Sequence, residues 1–222
     1  IFSSMPIIRR PRSPRSDMAR LIAALIRHGD YHQLPDTPSA HQPFPLNMEG
    51  EAHAEEGAEI LRQVIGRYSW VPQSVIDSSR MLRAWQTARI IARKTGELFR
   101  SEPLVESFDE LAERGLGCAA NLSVAQIRTI IQQDPRFPDP PPDWKSNSGY
   151  QLPLQGAESL LQAGQRVATH LSRRMQALAE TASQDCVKLF VGHGAAFRHA
   201  AFHLGVLEFE QLSQLSMHHG RP

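Results

Sequence analysis

Two short apolar runs near opposite ends of the chain finish in the same way, and this restricts the folds open to it. LIAALI at 21–26 leads into Arg27-His28-Gly29, and VKLFV at 187–191 leads into Gly192-His193-Gly194. Short apolar runs of this kind read as strands buried on both faces inside a parallel sheet. Segments with helical period lie between them. Residues 47–65 carry Ala52, Ala58, Leu61 and Ile65 among acidic residues, with Asn47 able to cap the helix and Glu51 placed to assist. Residues 74–77 form a second strand, and MLRAWQTARIIARKTG after it is a helix stopped by Gly96. A long helix follows at 157–181. This order predicts an α/β fold, a three-layer αβα sandwich with a mainly parallel central sheet. The 222 residues suffice for one buried core, placed here in a single domain over 19–222.

Two segments stand outside the periodic pattern. Residues 1–18 are rich in Arg, Pro and Ser and bury too little apolar area to offset ordering entropy, so they are expected to be a mobile N-terminal extension. Residues 134–153 hold six Pro with Trp144 and Tyr150 and no period, which reads as a surface loop of the kind that serves as a lid.

Charge excludes some partners. Lys+Arg 24 against Asp+Glu 23 gives a net charge of +1, without the basic field that nucleic-acid-coating proteins need. Setting aside the four Arg and Asp17 of the N-terminal segment leaves 20 basic against 22 acidic residues. Arg supplies 21 of the basic residues and Lys only 3, a skew that suits bidentate recognition of phosphate or carboxylate and is equally explained by codon usage. The longest clean apolar run, six residues at 21–26, cannot span a bilayer. Cys118 and Cys186 form no C-x-x-C pair, which fits a reducing compartment. The expectation is a soluble cytoplasmic protein with no nucleic-acid or membrane partner; a homodimer is compatible with the sequence.

In a parallel α/β sheet, ligands bind beyond the carboxyl ends of the strands. His28 and His193 both sit there, beside glycines that let backbone amides approach an anion. The amides of Gly194 and Ala195, opening the segment after the last strand, belong to the same anion-binding set. Arg27 precedes His28 directly and Arg83 opens the helix after Ser78-Ser79, with Arg80 a weaker candidate. A phosphoryl group in transfer spreads charge over three oxygens, which guanidinium forks and an imidazole hold well. His32, His41, His53, His170, His218 and His219 are read as structural. His199 and His203 have the i, i+4 spacing of metal ligands, but Ala200 stands where a zincin needs glutamate, so no metal site and no cofactor are assigned.

Taken together, these residues resemble the histidine phosphatase superfamily, also called phosphoglycerate mutase-like. Arg27-His28-Gly29 resembles its Arg-His-Gly signature. Ser78-Ser79-x-x-x-Arg83-Ala84-x-Gln86-Thr87-Ala88 resembles its second segment, which supplies a phosphate-binding arginine. Glu113 in Leu111-Ala112-Glu113-Arg114-Gly115 resembles its acidic residue, Gly156-Ala157-Glu158-Ser159 its segment before the long helix, and Val191-Gly192-His193-Gly194 the motif of its second histidine. The resemblance covers about residues 20–205.

The resemblance implies a metal-independent phosphatase acting on a small phosphorylated substrate. His28 would attack phosphorus to give a phosphohistidine, with Arg27, Arg83 and His193 holding the oxygens. Neighbouring Arg27 and Arg83 would keep His28 neutral by like-charge repulsion. Glu113 would protonate the leaving oxygen and then activate water. Phosphoglycerate mutase, a phosphohistidine-directed protein phosphatase and a catalytically weak phosphate-binding scaffold are the alternatives. Gly115 after Glu113-Arg114, in place of a fuller acidic segment, favours hydrolysis over mutase action. The sequence ends at Gly220-Arg221-Pro222, where the family often continues into another strand, so a truncated form is expected.

Overall fold

A computed structural model describes residues 19–37 and 41–222; the expected extension at 1–18 lies outside the described residues. Strands β1 (Leu21–Arg27), β2 (Val71–Pro72), β3 (Val75–Ser79), β4 (Leu104–Phe108) and β5 (Cys186–Gly192) form one sheet. Its order is β1-β5-β3-β4, with β2 also on β5, and all of these pairings are parallel. The helices are α1 (Met48–Tyr68), α2 (Leu82–Lys94), α3 (Val124–Gln133), α4 (Leu160–Ala179), α5 (Gly194–His203) and the short α6 (Gln211–Gln214).

The three layers follow from the two-residue period of β5. Val187, Leu189 and Val191 pack with Ala58, Leu61 and Ile65 of α1 and Ala84, Ala88 and Ile91 of α2. Phe190 points the other way, into Val167 and Leu171 of α4 and Ala196, Phe197 and Ala200 of α5. A parallel strand covered by helices on both sides must be apolar on both faces, and β5 is buried throughout. The same expectation fails for β1: among the described residues it pairs only with β5, and Ala23 is exposed.

Several local boundaries differ from the sequence reading for identifiable reasons. Strand β3 runs on through Ser79, because the charge on Asp77 is met inside the protein. Lys188 Nζ lies 2.7 Å from its Oδ1, and His170 Nε2 and Arg174 Nε lie 2.9 and 2.8 Å from Oδ2. Burial alone would raise the pKa of this carboxyl, but hydrogen bonds from His170 and Arg174 outweigh it and hold it below the usual range. Helix α2 ends at Thr95, whose hydroxyl donates to Ile91 O (2.7 Å); Gly96 instead begins a 3₁₀ turn. Helix α4 starts at Leu160, where Ser159 and Gln162 form a capping box. In α1 the Asn47 side chain accepts from Gly50 N (2.7 Å), while the Asn47 amide donates to Asp30 O, so Glu51 takes no part in a reciprocal cap.

The proline-rich segment 134–153 contains no helix or strand, as its sequence requires, yet it is anchored rather than superficial. Trp144 is 1% exposed and packs with Leu116, Ile127, Ile131 and Leu152 in a third small core. Among the described residues no helix is long and apolar enough to cross a membrane.

Candidate active site

The two histidines meet because β1 and β5 are neighbours in register, Arg27 opposite Gly192. The next residue on each strand is a histidine. His28 N donates to Gly192 O (2.9 Å), and the two imidazole rings lie 5.0 Å apart. On the other side of β5, β3 ends at Ser79, whose Oγ is 2.9 Å from His193 Nε2.

Arg83, in the first turn of α2, ties the pair together and is 1% exposed. Its Nε donates to His28 Nε2 (3.2 Å), its Nη1 to Gln42 O (3.0 Å), and its Nη2 is 3.4 Å from His193 Nδ1. The guanidinium also lies 4.2 Å from the centre of the Tyr31 ring. His28 Nδ1 is 2.6 Å from Gly29 O and so carries the proton, which leaves Nε2 unprotonated, its lone pair accepting from Arg83 Nε. The His28 pKa is pushed well below the usual imidazole value, by burial first and Arg83 second. Burial and Arg83 act on His193 in the same order and direction.

The rest of the second segment supports the loop after His28. Thr87 Oγ1 accepts from Gly29 N (3.0 Å), and Gln86 Oε1 from Leu46 N (2.8 Å). Gly29 faces Gly50 in the first turn of α1, and a Cβ on either would collide with the other's backbone neighbourhood. Its small size thus serves backbone packing rather than anion approach.

Helix α5 begins directly after His193, so its first amides point into the site without intrahelical partners. Arg27, His28, Arg83, Glu113, His193, Gly194 and Ala195 all line one cavity of about 330 Å³. Glu113 is carried on a loop pinned by its backbone: His41 Nε2 lies 3.0 Å from Glu113 O. Glu158 holds that loop from the α4 side, accepting from Gly115 N (2.9 Å) and pairing with Arg166 (2.5 Å). Arg80 is exposed against Asp109, away from the cavity.

Residues 23–221 match the sequence profile of the histidine phosphatase superfamily (branch 1). The chain belongs to this superfamily. No match was found among curated protein sequences. Among solved structures, a mycobacterial hydrolase has 20% identity and a TM-score of 0.65, over 89% of this chain and 78% of that one. The mycobacterial glucosyl-3-phosphoglycerate phosphatase has 21% identity and a TM-score of 0.64, over 89% and 86%. The α-ribazole phosphatase from Shigella flexneri has 20% and 0.63, also over 89% and 86%. At these identities the likeness is one of fold.

The structure also brings to the cavity residues that motif spacing did not single out. Tyr31, Gln33 and Arg198 line the same cavity. His219 places Nδ1 2.7 Å from His28 O, with its ring 5.4 Å from that of His28 and stacked on His53. Met217 O accepts from Arg27 Nη1 (2.8 Å), and Gly220 N donates to Arg27 O (2.8 Å), so residues 217–220 brace the end of β1. Nothing in the sequence marked His219, which is separated from its partner by most of the chain. His199 and His203 are engaged by Ala195 O, Ser148 Oγ and Leu161 O. Among the described residues no group of three or more His, Cys, Asp and Glu is arranged to hold a metal.

Two buried neutral imidazoles give folding a defined pH dependence. The unfolded chain protonates both near the usual value of 6.5, and the folded chain does so only at lower pH. Their contribution is therefore fully present above about pH 6.5 and is lost as pH falls, at up to about 1.4 kcal/mol per pH unit for each. Melting curves at about pH 7.5 and 5.5 are expected to differ more for the wild type than for the His28→Ala/His193→Ala double variant. Equal differences would contradict the neutral assignment.

Proposed function

We propose that the protein is a metal-independent phosphatase that hydrolyses a small phosphomonoester through a phosphohistidine on Nε2 of His28. The observation that carries this reading is a buried imidazole whose Nε2 is unprotonated and held by Arg83 Nε, in a residue that lines one cavity with Arg27, Arg83, His193 and the N-terminus of α5. That is a nucleophile set inside a receptor for three phosphoryl oxygens. The phosphatase activities named for two of its structural neighbours agree with it.

In the first step the Nε2 lone pair forms a bond to phosphorus while the bond to the ester oxygen breaks. That oxygen leaves with the proton of the Glu113 carboxyl. The Nδ1–H to Gly29 O contact persists, so charge developing on the ring meets a fixed carbonyl dipole. In the second step the Glu113 carboxylate takes a proton from water, whose oxygen attacks phosphorus as the P–N bond breaks and phosphate departs. Arg83 Nη2 can only donate, so here His193 Nδ1 accepts and Nε2–H donates to Ser79 Oγ; because Ser79 Oγ can also donate, the ring can switch to the Nδ1–H tautomer when a phosphoryl oxygen displaces that arginine contact.

The test uses leaving groups of different basicity with EDTA present. The wild type is expected to hydrolyse both p-nitrophenyl phosphate and an alkyl phosphate undiminished by the chelator. Glu113→Gln is expected to lose about 10²- to 10⁴-fold on the alkyl phosphate and far less on p-nitrophenyl phosphate, whose leaving group needs little protonation. Equal losses would remove Glu113 from the acid role, and sensitivity to EDTA would overturn metal independence.

A further inference from the structure

Among the described residues β1 has a strand partner on one side only, yet the two peptide groups flanking His28 are each held at both poles. The Arg27–His28 peptide donates its N–H to Gly192 O (2.9 Å) and accepts at Arg27 O from Gly220 N (2.8 Å). The His28–Gly29 peptide donates its N–H to Thr87 Oγ1 (3.0 Å) and accepts at His28 O from His219 Nδ1 (2.7 Å). In both peptides β5 or α2 meets the N–H, and residues 219–220 meet the carbonyl.

Glycines let residues 219–220 come this close. Gly220 has a φ of 70°, in the left-handed region, and a Cβ there would collide with His53 O, while a Cβ on Gly57 would collide with Gly220 O. The His219 ring lies parallel to His53 of α1 (12°, centroids 5.7 Å apart) and edge-on to His28 (62°, 5.4 Å). A carbonyl only accepts, so Nδ1 is the protonated nitrogen of His219. Burial pushes the pKa of this imidazole below its usual value, so at neutral pH the donor is the uncharged ring.

The orientation of the His28–Gly29 peptide determines where Gly29 O lies, and Gly29 O is the acceptor for His28 Nδ1–H (2.6 Å). Held at its N–H alone, the peptide could rock about that contact and carry Gly29 O and the imidazole with it. A displacement of about 1 Å at a reacting group costs about 10²-fold in rate. We propose that His219 is a positioning residue for the phosphohistidine reaction: by holding the carbonyl pole of the His28–Gly29 peptide, it keeps the His28 ring on Gly29 O and Nε2 where phosphorus is attacked. This assignment rests on the phosphatase reading above.

Two substitutions separate the hydrogen bond from the packing. His219→Phe keeps a ring against His53 and removes the donor, whereas His219→Asn gives up the stack and keeps an amide N–H near the place of Nδ1. On p-nitrophenyl phosphate, His219→Phe is expected to lower kcat about 10- to 10²-fold with KM within about threefold of wild type, because the groups that hold the phosphoryl oxygens are untouched. His219→Asn is expected to keep kcat within about threefold of wild type. Proton NMR of the full chain reads the same contact without turnover. The His28 Nδ1 proton, shifted downfield by its short bond to Gly29 O and identified by its absence from His28→Ala, is expected to move upfield or exchange away in His219→Phe and to stay in His219→Asn. Thermal melts of both variants, with kinetics run well below the lower midpoint, keep loss of fold apart from loss of position. Unchanged kcat or an unmoved resonance in His219→Phe would overturn the proposal, and equal losses in the two variants would assign His219 to packing alone. A resonance that responds as expected in a protein that hydrolyses no phosphomonoester would overturn the phosphatase reading while still supporting the hold on His28.

Discussion

His28→Ala is expected to lower turnover of p-nitrophenyl phosphate by on the order of 10⁴-fold or more, because it removes the atom that forms the covalent bond and leaves only direct attack by water. The loss should not come from unfolding. His28 is buried but sits at the cavity rather than in either main apolar cluster, and its ring makes one backbone contact, to Gly29 O. Losing that bond costs about 1–2 kcal/mol, or about 2–8 °C of melting temperature in a chain of this size. Acid-labile radiolabel from a ³²P-phosphomonoester, present in quenched wild type and absent from His28→Ala, would identify the linkage. Retained turnover in the variant would remove His28 from the nucleophile role.

Arg83→Lys is expected to cost about 10²- to 10³-fold in kcat/KM, although it keeps the charge. The guanidinium reaches His28 Nε2, His193 Nδ1 and Gln42 O with three different nitrogens while its face covers Tyr31. A single ammonium cannot make that fork. Inhibition by inorganic phosphate should weaken along with turnover, since the arginine's proposed role is to hold phosphoryl oxygens. Arg80→Ala, which removes an exposed arginine paired with Asp109, is the control and should change neither quantity. Unaltered phosphate inhibition in Arg83→Lys would show that Arg83 serves only to support the fold.

What the sequence made legible was the part written in short local patterns. Arg27-His28-Gly29 and Gly192-His193-Gly194 could be read because a strand end is a defined place in a parallel sheet, and the register of β1 on β5 then brings the rings together. Arg83 could be read because one helical turn fixes its distance from the end of β3. Strand β4 and helix α3 were not read. The first mixes Glu106 and Ser107 with apolar residues at a sheet edge, whereas the second carried a usable signal, the Ser123–Gln126 capping box. The Asp77 network could not be found by spacing, since its cations come from α4 and β5. His219 shares that limitation: what matters about it is a partner that only tertiary structure supplies.

The position of β5 governs when the site can come into being. Among the described strands it comes last in the chain, yet it lies between β1 and β3, so β1 must wait for its partner until residues 186–192 have been made. Contacts so distant in sequence form slowly, and until they form the chain presents unpaired strand edges to its surroundings. The same insertion delivers His193 to His28, and residues 217–220 dock on Arg27 and His28 only afterwards. The residues of the proposed site therefore come together only when β5 is inserted: acquisition of the site and completion of the sheet are one late event.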